Sequence, residues 1–300
     1  MIATTGDYLK LHFIVFLWGF TAILGLLISI PAVEMVLYRT LLAAIGMAVV
    51  IYWKKGNLHV DNSERLKLLL IGIIVSFHWL AFFGSGRVAN ASVSLVGFAT
   101  NSLWAALLEP LMNRKRIKAF ELVLGLVVIA GLYVIFSFDF QYKLGLALGV
   151  AAGFSAALFA VLNARMVRRV DAYTITFYEM TGAFIGTALV LPAFQYFFNQ
   201  GDPVNLIPSA MDWLYLAALS WICTVYAFST GVKLMKKLSV FFIQLTLNLE
   251  PVYGIIMALM IFGNREKMTS NFYIGTAIII GAVLLYPSLK RRYDKPEFMP

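Results

Sequence analysis

Charged residues and cysteine are both scarce in this sequence of 300 residues. Only 13% of the residues are charged and 61% are hydrophobic, whereas a soluble domain has about 25% charged and about 45–50% apolar residues. This composition excludes a water-soluble fold, because so much apolar surface has to face lipid or other helices embedded in lipid. The single cysteine, Cys223, excludes an internal disulfide and offers no metal-binding pattern.

Motifs for the use of nucleotides and metals are also absent from the sequence. There is no Gly-rich loop ending in Gly-Lys-Ser/Thr, so no ATP-driven motor is expected. No cluster of His, Cys and Asp has metal-ligand spacing, and we expect no metal and no cofactor. The net charge of +9 does not indicate nucleic acid, because the basic residues lie in short clusters between apolar runs. The first apolar run lacks a small-residue cleavage site, which favours a retained helix over a signal peptide.

The apolar residues are concentrated in runs that are long enough to cross a bilayer. A helix of about 20 apolar residues spans about 30 Å of hydrocarbon, and continuous rather than alternating runs favour helices over a β-barrel. We predict an all-α integral membrane protein with ten transmembrane helices. The predicted spans are 9–30, 34–53, 66–86, 90–112, 118–137, 143–164, 174–198, 211–234, 238–262 and 270–287.

The basic residues alternate between the two sides of these predicted spans. With a cytoplasmic N-terminus, 19 Lys and Arg residues lie on the inner side and 4 on the outer side. Cytoplasmic segments carry such an excess of positive charge in membrane proteins. We therefore expect a multi-pass protein of the cell (inner) membrane with both termini in the cytoplasm.

The two halves of the sequence are similar to each other. Residues 32–48 align with residues 172–188, so that Tyr38 matches Tyr178 and Arg39 matches Glu179. Each half has five predicted spans, and an odd number places the second copy upside down in the membrane. This is the inverted-repeat arrangement of many secondary transporters. We predict a first five-helix repeat at 1–138 and a second, inverted five-helix repeat at 139–300.

Several short motifs, in this order and spacing, resemble the EamA-type members of the drug/metabolite transporter superfamily. They are Leu17-Trp18-Gly19, Tyr38-Arg39, Glu250-Pro251-Val252-Tyr253, and a junction in which Glu266 precedes Gly275 by nine residues. The sequence departs from an ideal repeat, with Asn101 where the second copy has Pro251. The resemblance implies two EamA-like repeats around a central cavity and the transport of metabolites such as amino acids, and it leaves the substrate open.

Four polar or aromatic residues are predicted to lie near the middle of the membrane. A rise of about 1.5 Å per residue places Glu250 about 18 Å from the inner end of its span. Asn101, His78 and Trp18 lie at a similar depth in theirs. Transporters bind substrates near this depth, so we predict a binding site there, with Asn248 and Tyr226 as further candidates.

Pro251 is expected to interrupt the ninth span beside Glu250. Proline removes a backbone donor and crowds the carbonyl of Leu247, and a freed carbonyl is tolerated in a membrane only against protein or a wet cavity. Glu250 could then accept a proton or hold a substrate amine. The alternative is that its carboxyl only bonds the freed backbone groups and neighbouring helices.

Arg39 and Glu179 are predicted to lie at different depths, despite their equivalent repeat positions. Each is about five residues from opposite membrane surfaces, which leaves about 15 Å between them along the normal. We therefore predict two gates, one on each side, rather than a salt bridge. The alternative for Arg39 is that its long side chain reaches the outer interface. Tyr38 and Tyr178 adjoin this pair and are candidates for lining the path.

These features favour a secondary transporter, working as an exporter by alternating access, over a membrane-embedded enzyme acting on lipids. An enzyme of that type would place several polar side chains at one depth near an interface, whereas here they are single and at mid-depth. The expected partners are a small-molecule substrate and the lipid bilayer, with protons as one option for coupling. The chain is expected to be a monomer or a homodimer.

Overall fold

The chain forms helices and short connections throughout the part that its computed structural model describes. That part comprises residues 3–89, 91–136, 143–198, 207–250, 252–253 and 270–293, and no β-strand occurs within it. Helices satisfy their own backbone hydrogen bonds, which is the requirement that hydrocarbon imposes on an apolar segment. The prediction of an all-helical chain is therefore confirmed for these residues.

Eleven helices are described within this part of the chain. They are α1 (Thr5–Leu27), α2 (Ala32–Trp53), α3 (Asn62–Val88), α4 (Ala91–Phe98), α5 (Asn101–Met112), α6 (Ala119–Phe136), α7 (Lys143–Met166), α8 (Ala172–Phe198), α9 (Ala210–Leu234), α10 (Val240–Leu247) and α11 (Ser270–Tyr293). Within α9, the segment Ala218–Tyr226 is π-helical. In the described residues, six helices are long and apolar enough to cross a membrane, namely α2, α3, α7, α8, α9 and α11.

Two predicted spans are interrupted in the structure. The span predicted at 90–112 consists of two helices, α4 and α5, with a turn at residues 99–100. The span predicted at 238–262 begins with α10, which gives way to a turn at residues 248–249 before helical structure resumes at Glu250. Pro251, the expected cause of this interruption, and residues 254–262 lie outside the described residues.

The ends of the helices follow from local side-chain chemistry. At the start of α1, the backbone N–H and the hydroxyl of Thr4 both donate to the carboxylate of Asp7, at 2.9 and 2.8 Å. Ser209 and Asp212 repeat this arrangement at the start of α9. Such reciprocal caps satisfy backbone donors that have no partner within the helix. They fix where α1 and α9 begin.

Small residues allow several helices to approach closely. A Cβ atom at Gly72 of α3 would lie 2.2 Å from the carbonyl oxygen of Glu179 in α8, and one at Gly182 of α8 would lie 2.2 Å from that of Leu69. The helices therefore touch backbone to backbone, which small residues permit in membranes. The same holds where Gly97 of α4 meets Gly149 of α7.

The long helices pack across the two halves of the chain. Helix α3 lies against α7 and α8, α2 lies against α8 and α9, and α6 lies against α11. Helices α4 and α5 both pack on α7. This arrangement encloses a cavity that is bordered by α1, α2, α3, the end of α4, α7 and α9 and by the interrupted span that contains α10.

Candidate functional site

A cavity of about 90 Å³ lies between the two halves of the chain. A water molecule needs about 10–15 Å³ by this measure, so the space has room for several waters or a small organic molecule. Seven aromatic rings border it: Trp18, Trp79, Phe82, Phe83, Phe98, Phe159 and Phe228. The hydrogen-bonding and charged side chains on the wall are Thr21, Arg39, His78, Asn163, Gln244 and Glu250.

Arg39 reaches the cavity from α2 and is held by two contacts. Its Nε donates to the hydroxyl of Thr224 at 3.0 Å, and its guanidinium carbon lies 3.9 Å from the ring centroid of Trp79. A guanidinium over an indole face gains a cation–π attraction that is strongest away from water. The residue is only 3% exposed, so its side chain does not extend to an outer surface. The structure therefore gives no support to the alternative in which Arg39 reaches the interface.

The π-helical segment of α9 holds both Arg39 and Trp18. The indole Nε1 of Trp18 donates to the carbonyl oxygen of Cys223 at 2.9 Å, next to the hydroxyl of Thr224 that receives Arg39. The Thr224 hydroxyl itself donates to the carbonyl of Leu219, five residues earlier. Widened turns of this kind occur frequently at functional sites. Here the widened turn joins α1, α2 and α9 at one point of the cavity wall.

Glu250 lies on the cavity wall directly after the interruption that follows α10. It is 6% exposed, and the same wall contains the oppositely charged Arg39 and the hydroxyl-bearing Thr21. The turn at Asn248 and Leu249 is closed by backbone bonds to Leu245 and Thr246, at 3.3 and 3.0 Å. The helix break therefore lies directly before a carboxyl that borders the cavity.

His78 also lies on the wall and has a fixed hydrogen-bond partner. Its Nδ1 is 2.8 Å from the carbonyl oxygen of Ala152 in α7. A carbonyl can only accept, so Nδ1 carries the proton and Nε2 remains an acceptor. The imidazole packs against Phe82, Phe98 and Phe159, with the ring of Phe82 nearly parallel to it. These contacts fit the interpretation of a satisfied buried histidine that also borders the cavity.

Asn101 and Asn248 lie where the two interrupted spans cross, behind the cavity wall. The amide nitrogen of Asn248 donates to the hydroxyl of Ser102 in the first turn of α5, at 3.2 Å. Asn101 is fully buried, and neither of its side-chain polar atoms has a hydrogen-bond partner among the described residues. The two helix breaks thus meet at a polar contact beside the cavity. At this crossing, buried polar side-chain atoms that lack a hydrogen-bond partner therefore lie next to the cavity.

Glu179 does not reach the cavity itself. Its side chain is fully buried where α8 lies against α3, and its Oε2 accepts from the amide of Asn163 at 3.2 Å. Asn163 belongs to the cavity wall. The two described residues Arg39 and Glu179 have different hydrogen-bond partners, and no ion pair joins them. Glu179 therefore contacts the site through one intervening side chain.

The structure places the three candidate tyrosines outside the cavity. Tyr38 packs edge-on against Trp213 with 5.1 Å between ring centroids, and the hydroxyl of Tyr178 donates to the carbonyl of Leu58 at 2.9 Å. Tyr226 is 46% exposed, although its neighbours in the π-helical segment hold Arg39 and Trp18. These aromatic side chains thus face the periphery of the bundle rather than the path.

Several wall residues were not singled out by the sequence, among them Thr21, Asn163 and Gln244. Each is an uncharged polar residue inside an apolar run. Such residues can indicate a cavity wall, but they are too common in this sequence to identify one. Thr224 was missed for the same reason.

Glu34 was also not predicted from the sequence. It is fully buried near the start of α2, and its carboxylate oxygens have no hydrogen-bond partner within the described part of the chain. Its carboxylate interacts electrostatically with Arg87.

No group of three or more potential metal ligands occurs among the described residues. The wall offers one guanidinium, one carboxyl, one imidazole and several amides or hydroxyls between aromatic faces. This set can hold a small molecule that carries charges of both signs. It contains no nucleophile paired with a base of the kind that hydrolases use.

Comparison with known proteins gives a consistent assignment. The model of the EamA-like transporter family matches the chain over residues 8–137 and again over residues 143–286. A curated protein of Archaeoglobus fulgidus, described as an uncharacterized transporter, is 25% identical over 254 residues, which cover 83% of this chain and 85% of that protein.

A solved crystal structure, described only as that of a protein, has a TM-score of 0.79 with this chain at 17% sequence identity. The match covers 97% of this chain and 100% of the other, and at that identity it shows the fold alone. Together with the apolar helices, the family match makes the chain a multi-pass membrane protein of the transporter class. The chain belongs to the EamA-like transporter family.

Proposed function

We propose that this protein is a secondary transporter that exports a small organic metabolite, such as an amino acid, by alternating access. The observation that carries the proposal is the cavity in which Arg39 and Glu250, of opposite charge, share an aromatic wall. Buried ionisable residues are expensive in a membrane protein and mark substrate or ion pathways. Family membership and the transporter-named relative support transport as the general activity.

The proposed architecture is ten spans in two inverted five-helix repeats, 1–138 and 139–300, with both termini in the cytoplasm. Two observations support it. The family model matches once on each side of this boundary. The two interrupted spans also occupy corresponding places in the halves, and such pairs point to the binding site of a transporter.

The charges on the wall suit a zwitterionic substrate. A substrate carboxylate would pair with the guanidinium of Arg39, and a substrate ammonium would pair with the carboxyl of Glu250. Because Arg39 is already held by Thr224 and Trp79, its donors are oriented before the substrate arrives. Trp18 and Phe228 would contact the apolar part of the substrate.

We propose gating or coupling roles for Arg39, Glu179, Glu250 and Pro251. Arg39 belongs to the first proposed repeat and its partner Thr224 to the second, so movement of one repeat against the other would strain this hydrogen bond. Glu179 would act through Asn163, which it holds on the cavity wall. Asn101, Asn248 and His78 would support the site, and Tyr38, Tyr178 and Tyr226 would act at the periphery.

The direct test is transport by the purified protein in proteoliposomes. Efflux and uptake of labelled amino acids and other small metabolites would be measured with and without an imposed pH gradient. The expected result is saturable movement of one chemical class. The proposal is contradicted if no metabolite moves faster than through empty liposomes while the reconstituted protein remains folded.

Proton coupling is tested separately with Glu250→Gln. The variant keeps the shape of the side chain and removes its ability to exchange a proton, so the response to a pH gradient should disappear. Glu64→Gln, in the first turn of α3, is the matched control. If Glu250→Gln transports at the wild-type rate with the same pH dependence, Glu250 has only a structural role.

A further inference from the structure

A second depression in the molecule lies between the first part of α3 and the last part of α7. It has a volume of about 710 Å³ and is bordered by nine residues of these two segments. Five of them are apolar: Leu70, Ile71, Ile74, Leu162 and Met166. The other four are basic: Lys67, Arg165, Arg168 and Arg169. We call this depression the α3–α7 groove.

The spacing of these residues shows that two helix faces form the groove. On α3, Lys67 is followed by residues three, four and seven positions later, and on α7 Leu162 is followed by residues three and four positions later. Residues with this spacing share one face of a helix. Arg168 and Arg169 lie in the turn directly after α7. On both segments the basic residues lie toward the same end of the bundle, and the apolar residues lie deeper.

The depth of the groove suits an acyl chain. The distance along α3 from Lys67 to Ile74 is about 10 Å at 1.5 Å per residue. Leu70 is 50% exposed within it. An apolar groove of this length that runs into the hydrocarbon is filled by lipid tails, since no water is available there.

The charge of the groove suits an anionic headgroup. Its wall includes four basic side chains and no carboxylate. Among the residues that the structure describes, none of the four forms an ion pair; Arg165 donates a hydrogen bond to Asn113 at 3.3 Å, and Arg169 also borders a neighbouring depression that contains Asp61, Glu64 and Asp171. Arg165 and Arg168 also border a depression that contains Glu109. Lys67 therefore has the least competition for a phosphate.

We infer that the α3–α7 groove binds one anionic phospholipid, whose phosphate lies among Lys67, Arg165 and Arg168 and whose acyl chain lies along Leu70, Ile74 and Leu162. Basic pockets between membrane helices recognise lipid headgroups in this way. The groove also adjoins the transport site, because Phe159 and Asn163 of the same stretch of α7 lie on the central cavity wall. The inference does not depend on the identity of the transported substrate.

The test is lipid binding by the full chain in a mild detergent. Native mass spectrometry would follow titration with dioleoyl phosphatidylglycerol and, in parallel, dioleoyl phosphatidylcholine. We expect tighter binding of phosphatidylglycerol to the wild type. An anionic surface attracts each nearby basic side chain by an amount that corresponds to about fivefold in affinity, so Lys67→Gln/Arg168→Gln should weaken this binding about 25-fold.

A matched control separates the groove from general surface charge. Arg291→Gln/Arg292→Gln removes the same charge from exposed residues at the end of α11 and should keep the preference for phosphatidylglycerol. Equal loss in both double variants, or no loss in the groove variant, would overturn the inference.

Two further measurements distinguish a lipid from a soluble phosphate. Leu70→Trp fills the apolar part of the groove and leaves every charge in place, so it should weaken phosphatidylglycerol binding about tenfold or more. Glycerol phosphate and inorganic phosphate, which have no acyl chain, should not raise the melting temperature of the wild type. If either anion stabilises the protein as well as the lipid does, the groove is a site for a soluble anion and the inference is wrong.

Discussion

Arg39 and Glu179 match each other in the two halves of the sequence, but their surroundings in the structure differ. Arg39 lies on the cavity wall against Trp79 and Thr224, whereas Glu179 lies between α8 and α3 and reaches the wall only through Asn163. A nearby matched position also differs. Gly182 in the second half lets α8 touch the backbone of α3, and the aligned residue in the first half is Leu42.

The comparison shows that matched positions in the two halves of the sequence can have different surroundings. Arg39 borders the cavity directly, whereas Glu179 is connected to it through its hydrogen bond with Asn163. The following predictions test this distinction.

The largest difference in transport rate is expected between two variants that remove the charge at the matched positions. Arg39→Gln should reduce transport about 10- to 100-fold, because a lost hydrogen bond to a charged group costs about 1.5–3 kcal/mol. Glu179→Gln keeps a hydrogen-bonding group beside Asn163 and should reduce transport about threefold or less. Initial rates in proteoliposomes at matched protein density measure both. Equal losses would show that the two residues contact the substrate alike.

A large loss of stability is expected where α3 and α8 touch. The Cβ atom of Gly72→Ala would meet backbone atoms of Glu179, and overpacking of this kind costs about 1–3 kcal/mol. The melting temperature in detergent should fall by about 3–10 °C. Gly86→Ala in the same helix is the control, because a Cβ atom there meets nothing within 4 Å. A fall of the same size in both variants would contradict this explanation, because helix propensity by itself favours alanine over glycine at both positions.

An intermediate effect is expected from the residue that orients Arg39. Thr224→Val keeps the shape of the side chain and removes the oxygen that accepts from the guanidinium. We expect the apparent KM to rise about 3- to 10-fold with little change in maximal rate, because net hydrogen bonds contribute about 0.5–1.5 kcal/mol. Thr187→Val serves as the control, since the hydroxyl of Thr187 bonds only within the α3–α8 seam and along its own helix. An unchanged KM in Thr224→Val would show that Trp79 alone holds Arg39.

The smallest loss of stability is expected when an ion pair is removed at the N-terminal end of α1, outside the predicted span. The ammonium of Lys237 lies 2.9 Å from the carboxylate of Asp7 and holds the pKa of that carboxyl well below its usual range. The stabilisation is therefore complete above the ordinary Asp pKa of about 4 and is lost on acidification below it.

Asp7→Asn should accordingly lower the melting temperature at neutral pH by about 1–3 °C, as the loss of a partly exposed ion pair does. Melting curves of both proteins between pH 7 and pH 3 measure this, and the difference should shrink toward the acid end. A difference that grows on acidification would contradict the sign of this linkage.

Much of the fold could be predicted from the sequence because apolar length and charge alternation are read along the chain. Helices α1, α2, α3 and α6 through α9 coincide with predicted spans to within a few residues, as does the start of α11. The place of Glu250 beside a helix interruption also followed from the sequence. The interruption at residues 99–100 could not be predicted from the sequence, because no proline occurs there and Gly97 meets α7 only through tertiary packing.

The composition of the site was harder to predict. The depth of a residue along a helix follows from counting, and Trp18, His78 and Glu250 were found in this way. The direction in which a side chain points depends on how each helix is rotated against its neighbours. Tyr226 was proposed from its depth, and Tyr38 and Tyr178 from their place beside Arg39 and Glu179, but none of the three lines the cavity. Thr224 could not be predicted because its contact with Arg39 depends on a π-helical turn.

The sequence by itself determined that this chain is a helical membrane protein of the EamA-like family, because hydrophobic length and the order of short motifs are properties of the chain alone. Only the tertiary structure decided that Arg39 and Glu250 share one cavity while Glu179 stands behind it. That outcome depends on which helices approach closely enough to touch, and glycines such as Gly182 have this effect only through the partner that they meet.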